Sequence, residues 1–146
     1  MDFKKAFDSV WRTGLWHVMR HLGFDDKIIF EYWSLCTRSA VRVDGGLSDW
    51  FQTVVGVLQG CVLSPLLFNI LLEVVMLLAL DGSDAGVCVN GSFISNLRYA
   101  DDISLPANSD MDLQQLVNKV DGACSRFRLT ISSSKTEVGT LQLCSK

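Results

Sequence analysis

Residues 62–80 form a run of 19 residues from Val62 to Leu80 that is aliphatic at most positions. A run of that length either crosses a bilayer or lies inside a protein. Pro65, Asn69 and Glu73 interrupt it. Asn69 and Glu73 are four apart and share a helix face, so a membrane span would carry a carboxylate in hydrocarbon. The pattern therefore reads as a core helix rather than a span, and the rest of the chain must supply elements that cover it. Ser64-Pro65 marks the start, with Ser as N-cap and Pro at the first helical position. The turn-rich Asp81-Gly82-Ser83-Asp84 ends it.

Several segments can provide the cover. Phe3 and the turn after it suggest the end of a strand over Met1–Lys5. Apolar residues from Phe7 to Leu22 keep the i, i+3, i+4, i+7 spacing of one helix face, and Gly23 sits where a C-cap belongs. Asp25 opens a second helix with Ile28, Ile29, Tyr32, Trp33 and Cys36 on its apolar side. Ser39–Asp44 and Trp50–Val55 read as strands around Gly45-Gly46. Gly56–Ser64 is a loop. Val87–Val89 and Ser92–Tyr99 flank Asn90-Gly91, a hairpin signal. Ile103–Leu105 returns, and Pro106 ends it. Ser109 with Asp112 resembles a capping box ahead of an amphipathic helix through Leu113, Leu116, Val120, Cys124 and Phe127. Leu129–Ile131 and Val138–Leu143 are short final strands. Helices and strands are interspersed with an antiparallel hairpin, which predicts the α+β class in one domain over residues 1–146.

Composition narrows the function. With 49% hydrophobic and 20% charged residues, the chain can bury a core and is not disordered. A net charge of -3 argues against a free-standing nucleic-acid binder, so any nucleic-acid role needs basic surface from elsewhere. The five cysteines are odd in number and show no CxxC pair, which argues against a disulfide framework or zinc site. A reducing intracellular setting, nuclear or cytoplasmic, follows from that pattern. No apolar segment of a signal peptide follows Met1.

Asp101 and Asp102 lie between two apolar, strand-like runs. Adjacent carboxylates repel, and a tight turn between strands is a poor place to desolvate them. A divalent cation removes the difficulty, since Mg²⁺ is held by one or two carboxylates plus substrate phosphates. For the pair taken alone, a solvated Asp-Asp turn is the better explanation. Three further stretches decide between these readings. They are Asp2-Phe3-Lys4-Lys5-Ala6-Phe7-Asp8, then Gly56 through Asn69 with its Gln59-Gly60 and Leu63-Ser64-Pro65, and lastly Leu129 through Glu137 with Ser134-Lys135-Thr136. With Tyr99-Ala100-Asp101-Asp102 between them, in that order, the four resemble the palm of a reverse transcriptase of the non-LTR (LINE-type) retrotransposon group.

The resemblance implies an RNA-directed DNA polymerase that adds dNTPs to a DNA primer on an RNA template. It implies a small antiparallel sheet with helices packed on one face. Asp2, Asp101 and Asp102 match the carboxylates that hold two Mg²⁺ ions, with Mn²⁺ as the alternative. Lys135 matches a lysine assigned as general acid to the departing pyrophosphate. Phe7 matches the ring beneath the incoming sugar, and Gln59 and Gly60 match the loop beneath the nascent base pair and template. Arg98 and Lys5 read as surface charges. The chain departs from the pattern at Leu58, where the group carries an arginine, at Arg128-Leu129, where it carries Gly-Leu, and at a serine before Lys135, where an asparagine is common. Only palm motifs have counterparts in residues 1–146; fingers, primer grip and thumb do not. The expectation is therefore a fragment inactive by itself, with Asp2 on a fraying end. The alternative is a decayed or domesticated palm remnant that at most binds.

Overall fold

The structure is a computed structural model that describes residues 1–140, the side chains at positions 35 and 36 apart. The order of elements is α1 (Ala6–Ser9), α2 (Arg12–His21), α3 (Asp26–Cys36), β1 (Arg38–Ser39), β2 (Arg42–Val43), β3 (Gly46–Leu47), β4 (Phe51–Gln52), α4 (Ser64–Leu80), β5 (Val87–Val89), β6 (Ser92–Ile94), β7 (Leu97–Tyr99), β8 (Asp102–Ser104) and α5 (Asp110–Arg126). Helices and short antiparallel strand pairs alternate, so the class is α+β, as the pattern of elements predicts.

The apolar run becomes α4. It buries Leu67, Phe68, Leu71, Leu72, Val75, Met76 and Ala79 along one stripe. Leu66, Leu77 and Leu78 stay largely exposed, so the helix is half-covered rather than enclosed. α5 packs along α4, and α2 and α1 pack against it as well. α5 contributes Leu116, Val120, Ala123 and Cys124, while α2 contributes Leu15, Val18 and Met19. Phe3, Ile103 and Leu129 bring the strand layer onto the same core. Among the described residues, no helix is long and apolar enough to cross a membrane.

Several expected boundaries move. The helix expected from Phe7 to Leu22 is two helices. Val10 and Trp11 are extended, because the Val10 carbonyl accepts from the Gly56 amide at 2.9 Å and Trp11 bridges Val55. Pairing with another segment outweighs the helical period there. Ser64 is not an N-cap but lies inside α4. Its hydroxyl donates to the Leu58 carbonyl at 2.6 Å and closes the preceding loop, while Pro65 stays in the first turn. The single strands expected over Ser39–Asp44 and Ser92–Tyr99 are each broken in two, into β1 and β2 and into β6 and β7. Of the strand expected over Val138–Leu143, residues 138–140 carry no strand, and residues 141–143 lie outside the described residues.

Other local signals act as read. Gly23 takes a left-handed φ of 84° after α2, and its amide donates to the Arg20 carbonyl. The Asp25 carboxylate accepts from the Lys27 amide at the start of α3. Ser109 Oγ accepts from the Asp112 amide and donates to its carboxylate. Asn90 and Gly91 both take left-handed φ between β5 and β6.

The strand layer that carries the site is assembled from distant parts of the chain. β7 pairs antiparallel with β8, joining Leu97 to Ser104 and Tyr99 to Asp102. Met1 then pairs with Ile103 through two backbone bonds of 2.8 and 2.9 Å. On its other side the same segment meets residues 130–132. Phe3 bridges Ile131, the Lys4 amide donates to Thr130 at 2.8 Å, and the Ser132 amide donates to Asp2 at 2.8 Å. Asp2 therefore does not hang on a fraying end. Its backbone sits between two partner segments.

Candidate functional site

Asp2 follows from that pairing. The Met1–Ile103 bonds bring the segment of Asp2 alongside β8, which Asp102 opens. Lys135 pairs with the Asp2 carboxylate. The turn after Ile131 is closed by the Lys135 and Thr136 amides donating to the Ser132 carbonyl. It brings Lys135 Nζ to 2.9 Å from Asp2 Oδ2. The Asp2 side chain is 17% exposed and that of Lys135 66%.

The electrostatics agree with this geometry. The hydrogen bond from Lys135 holds the Asp2 carboxyl below its ordinary range, against a smaller opposing effect of burial. The Lys135 ammonium is pushed above its ordinary value by the Asp2 bond first. Asp101 and Asp102 add to that push, which puts both carboxylates within electrostatic reach of the same amine. Residues 2, 101, 102 and 135 thus share one locality. Asp101 lies in the turn of the β7–β8 hairpin, half-buried, and Asp102 opens β8, exposed. Ala100 between the strands takes a left-handed φ of 52°, which is uncommon for a residue with a Cβ. The hairpin is tied to α4 by an ion pair of 2.8 Å between Arg98 and Glu73, so Arg98 has a structural partner.

Three carboxylates offer hard oxygen donors, the chemistry that suits Mg²⁺. Among the described residues, no three His, Cys, Asp or Glu side chains are grouped as a ready cage. Mg²⁺ does not require one, since it keeps waters and substrate phosphates among its ligands. The Lys135 ammonium occupies the cationic place beside Asp2. The buried Cys124 thiol is a poor candidate for nucleophilic work, since burial and then Asp121 push its pKa up to about 12.

Phe7 lies on α1, which follows the segment of Asp2 directly. Its ring is half-buried and packs on Phe68 at 5.2 Å, while Phe68 meets Phe3 edge-on at 6.0 Å. The Phe7 carbonyl accepts from the Val57 amide at 2.8 Å, which links α1 to the Gln59 loop. Gly56 begins that loop with φ of 82°, and a Cβ there would stand 3.0 Å from the Asp8 carbonyl. Only glycine combines that backbone with that approach. Gly60 also takes a left-handed φ, 84°, with open space around it. Gln59 is exposed and donates from Nε2 to Asp8 Oδ1 at 2.9 Å. Phe7, Gln59 and Gly60 thus belong to one loop–helix unit, tied to the strand layer through the Phe7–Phe68–Phe3 rings.

Sequence reading passed over Arg12. It is 5% exposed and reaches the Gly56 carbonyl through Nε and the Thr53 carbonyl through a guanidinium nitrogen at 2.6 Å. It anchors the segment that leads into the Gln59 loop. The available signal was a lone arginine in the first turn of a helix, where a cation opposes the helix dipole and needs a reason to be.

Comparison with known proteins fits these features to a class. A family model described as reverse transcriptase (RNA-dependent DNA polymerase) matches residues 1–143, and the chain belongs to that family. Within it the chain falls with non-LTR, LINE-type elements. It is 31% identical over 130 residues to the Pol polyprotein of a type-1 retrotransposable element R2 from Popillia japonica. It is 32% identical over 139 residues to that of the type-2 element R2DM from Drosophila melanogaster. Those alignments take in 88% and 92% of this chain but 21% and 13% of the two relatives.

Proposed function

We propose that residues 1–146 form the palm portion of an RNA-directed DNA polymerase, in which Asp2, Asp101 and Asp102 hold two divalent cations. The observation that carries this reading is the 2.9 Å pair of Asp2 and Lys135 on the segment that Met1 ties to Ile103, which adjoins Asp101-Asp102 in sequence. Residues from the two ends and the middle of the chain converge on one strand edge, at which Asp102 and Lys135 are exposed. A duplex can reach such an edge.

Two Mg²⁺ ions, or Mn²⁺ in their place, would supply a lowered pKa at the attacking primer hydroxyl and charge stabilisation at the leaving pyrophosphate. The chain's own residues do the rest. Asp2 is held on both sides by backbone bonds, so its carboxylate is fixed before substrate arrives. Lys135 is the proposed general acid. It is protonated at neutral pH as an ordinary lysine is, and its exposure leaves it able to reach a departing phosphate. Phe7 is the proposed wall against a 2′-hydroxyl on the incoming nucleotide, and its packing on Phe68 keeps the ring from yielding. Gln59 and Gly60 are the proposed contacts with the paired bases and template. RNA template, DNA primer and dNTPs are the substrates this reading assigns to the whole enzyme.

Leu58 favours a second reading, a palm that binds without copying. It puts an exposed aliphatic side chain beside Gln59 where the group carries a cation. Primer extension on an RNA template with Mg²⁺ and dNTPs, by a longer chain that surrounds residues 1–146 with fingers and thumb, separates the two. The polymerase reading expects D101A/D102A to cut extension by about 10³-fold or more, since losing metal ligands removes several kcal/mol of transition-state stabilisation. Extension that survives loss of both aspartates contradicts the site. Binding of primer–template without any extension supports the second reading.

A further inference from the structure

Asp8 lies outside the carboxylate cluster and has no part in the reaction as proposed. Its side chain accepts from Gln59 Nε2 at 2.9 Å. The backbone around it is tightly tied to the same loop. The Val57 amide donates to the Phe7 carbonyl, the Gly56 amide donates to Val10, and Gly56 passes so close to Asp8 that a Cβ there would be crowded. Asp8 and Gln59 are therefore held face to face across 51 residues of sequence.

The chemistry of the pair fixes the amide. A carboxylate only accepts hydrogen bonds, whereas a glutamine amide has a donating end and an accepting end. With Nε2 turned to Asp8, the end turned away is the carbonyl oxygen Oε1. The opposite flip would set that oxygen against the carboxylate, a repulsive contact. We infer that Asp8 is a positioning residue that fixes the polarity of Gln59, so that Gln59 presents an acceptor and reads a hydrogen-bond donor on nucleic acid. This rests on the polymerase reading and deepens it at the Gln59 loop. A phosphate does not suit Oε1, because it offers no donor and because the Asp8 charge repels it. The groups that suit it are a ribose 2′-hydroxyl, a nucleotide 3′-hydroxyl or a base N–H.

The test uses a longer chain that surrounds residues 1–146 with fingers and thumb, with Mg²⁺ and a labelled primer–template. Dissociation constants are compared for an RNA template, its 2′-deoxy counterpart, and the RNA template with inosine in place of guanosine. The wild type should bind about fivefold more weakly to whichever template lacks the donor that Gln59 accepts, as expected for one hydrogen bond. D8A frees the amide to present either end and should erase that difference. D8N/Q59E should restore it, because the amide introduced at position 8 can donate to the carboxylate introduced at position 59, which again leaves an oxygen outward. The ¹⁵N-resolved side-chain amide signals of Gln59 report the contact without any substrate, and they should move in D8A. Unmoved amide signals overturn the contact. A template preference unchanged in D8A overturns the positioning role, and a wild type indifferent to all three templates overturns a template 2′-hydroxyl or guanine amino group as the donor. A chain that binds no primer–template overturns the polymerase reading, and with it the assignment of a nucleic-acid donor to Gln59.

Discussion

Asp2 is held by two kinds of force that respond differently to pH. Its backbone bond from Ser132 and those of its neighbour Met1 to Ile103 do not depend on its charge, whereas its side-chain link to Lys135 does. The Asp2 pKa lies below its ordinary 3.8 in the folded chain, so the stability it contributes is present above that value and is lost as pH falls through the lowered pKa. The Lys135 pKa lies above its ordinary 10.5, so its contribution is present below that value and is lost as pH rises through the raised one. The link should therefore be intact across the whole neutral range. Carboxyl NMR titration of Asp2 checks this: its midpoint should lie below 3.8 and return towards that value in K135A. Asp102 is a different case. It is exposed at the start of β8, so D102N should change stability by no more than about 0.5 kcal/mol while it removes a proposed ligand. Denaturant midpoints of the two proteins measure that directly.

At the scale of elements, the weight falls on the break between α1 and α2. Val10 and Trp11 leave the helix to bond with Val55 and Gly56, and Arg12 clamps that junction from inside. R12A should destabilise the chain by about 2–3 kcal/mol, because it strands the buried Gly56 carbonyl and the part-buried Thr53 carbonyl. Thermal unfolding would show it, and R12K should recover only part, since an ammonium cannot reach both carbonyls as a planar fork does. The same junction marks what the sequence left hidden. The periodicity of Phe7 to Leu22 was legible as apolar helix, because side-chain spacing is local. The break in it was not, because it is enforced by a segment 44 residues from Arg12. Hairpin turns such as Asn90-Gly91 and caps such as Asp25 and Ser109 were legible for the same local reason. Ser64 misled because its hydroxyl took the Leu58 carbonyl as partner rather than the helix's own amides.

At the scale of the whole molecule, α2, α4 and α5 form a packed frame, and the site lies on a strand layer laid across it through Phe3, Ile103 and Leu129. The candidate site residues were legible as motifs, but their assembly was not. By sequence alone Asp2 has little to hold it. In the fold it is a central rung, with the Met1–Ile103 pair on one side and residues 130–132 on the other. An exposed apolar surface accompanies this frame, with Val43, Trp50 and Val54 along the β1–β4 segment and the stacked rings of Phe30 and Trp33 on α3. The chain spans 21% and 13% of the two R2 polyproteins it matches, and the surface is distinct from the carboxylate edge in sequence.

The central claim is that Asp2, Asp101 and Asp102 hold a divalent cation at the edge where Lys135 now sits. Titration with Mn²⁺, followed by paramagnetic broadening of backbone amide signals, tests it most directly. Broadening should begin at residues 1–3, 100–103 and 134–136, should be competed by Mg²⁺, and should disappear in D101A/D102A. Broadening that starts elsewhere in the chain, or that persists unchanged without both aspartates, would contradict the account.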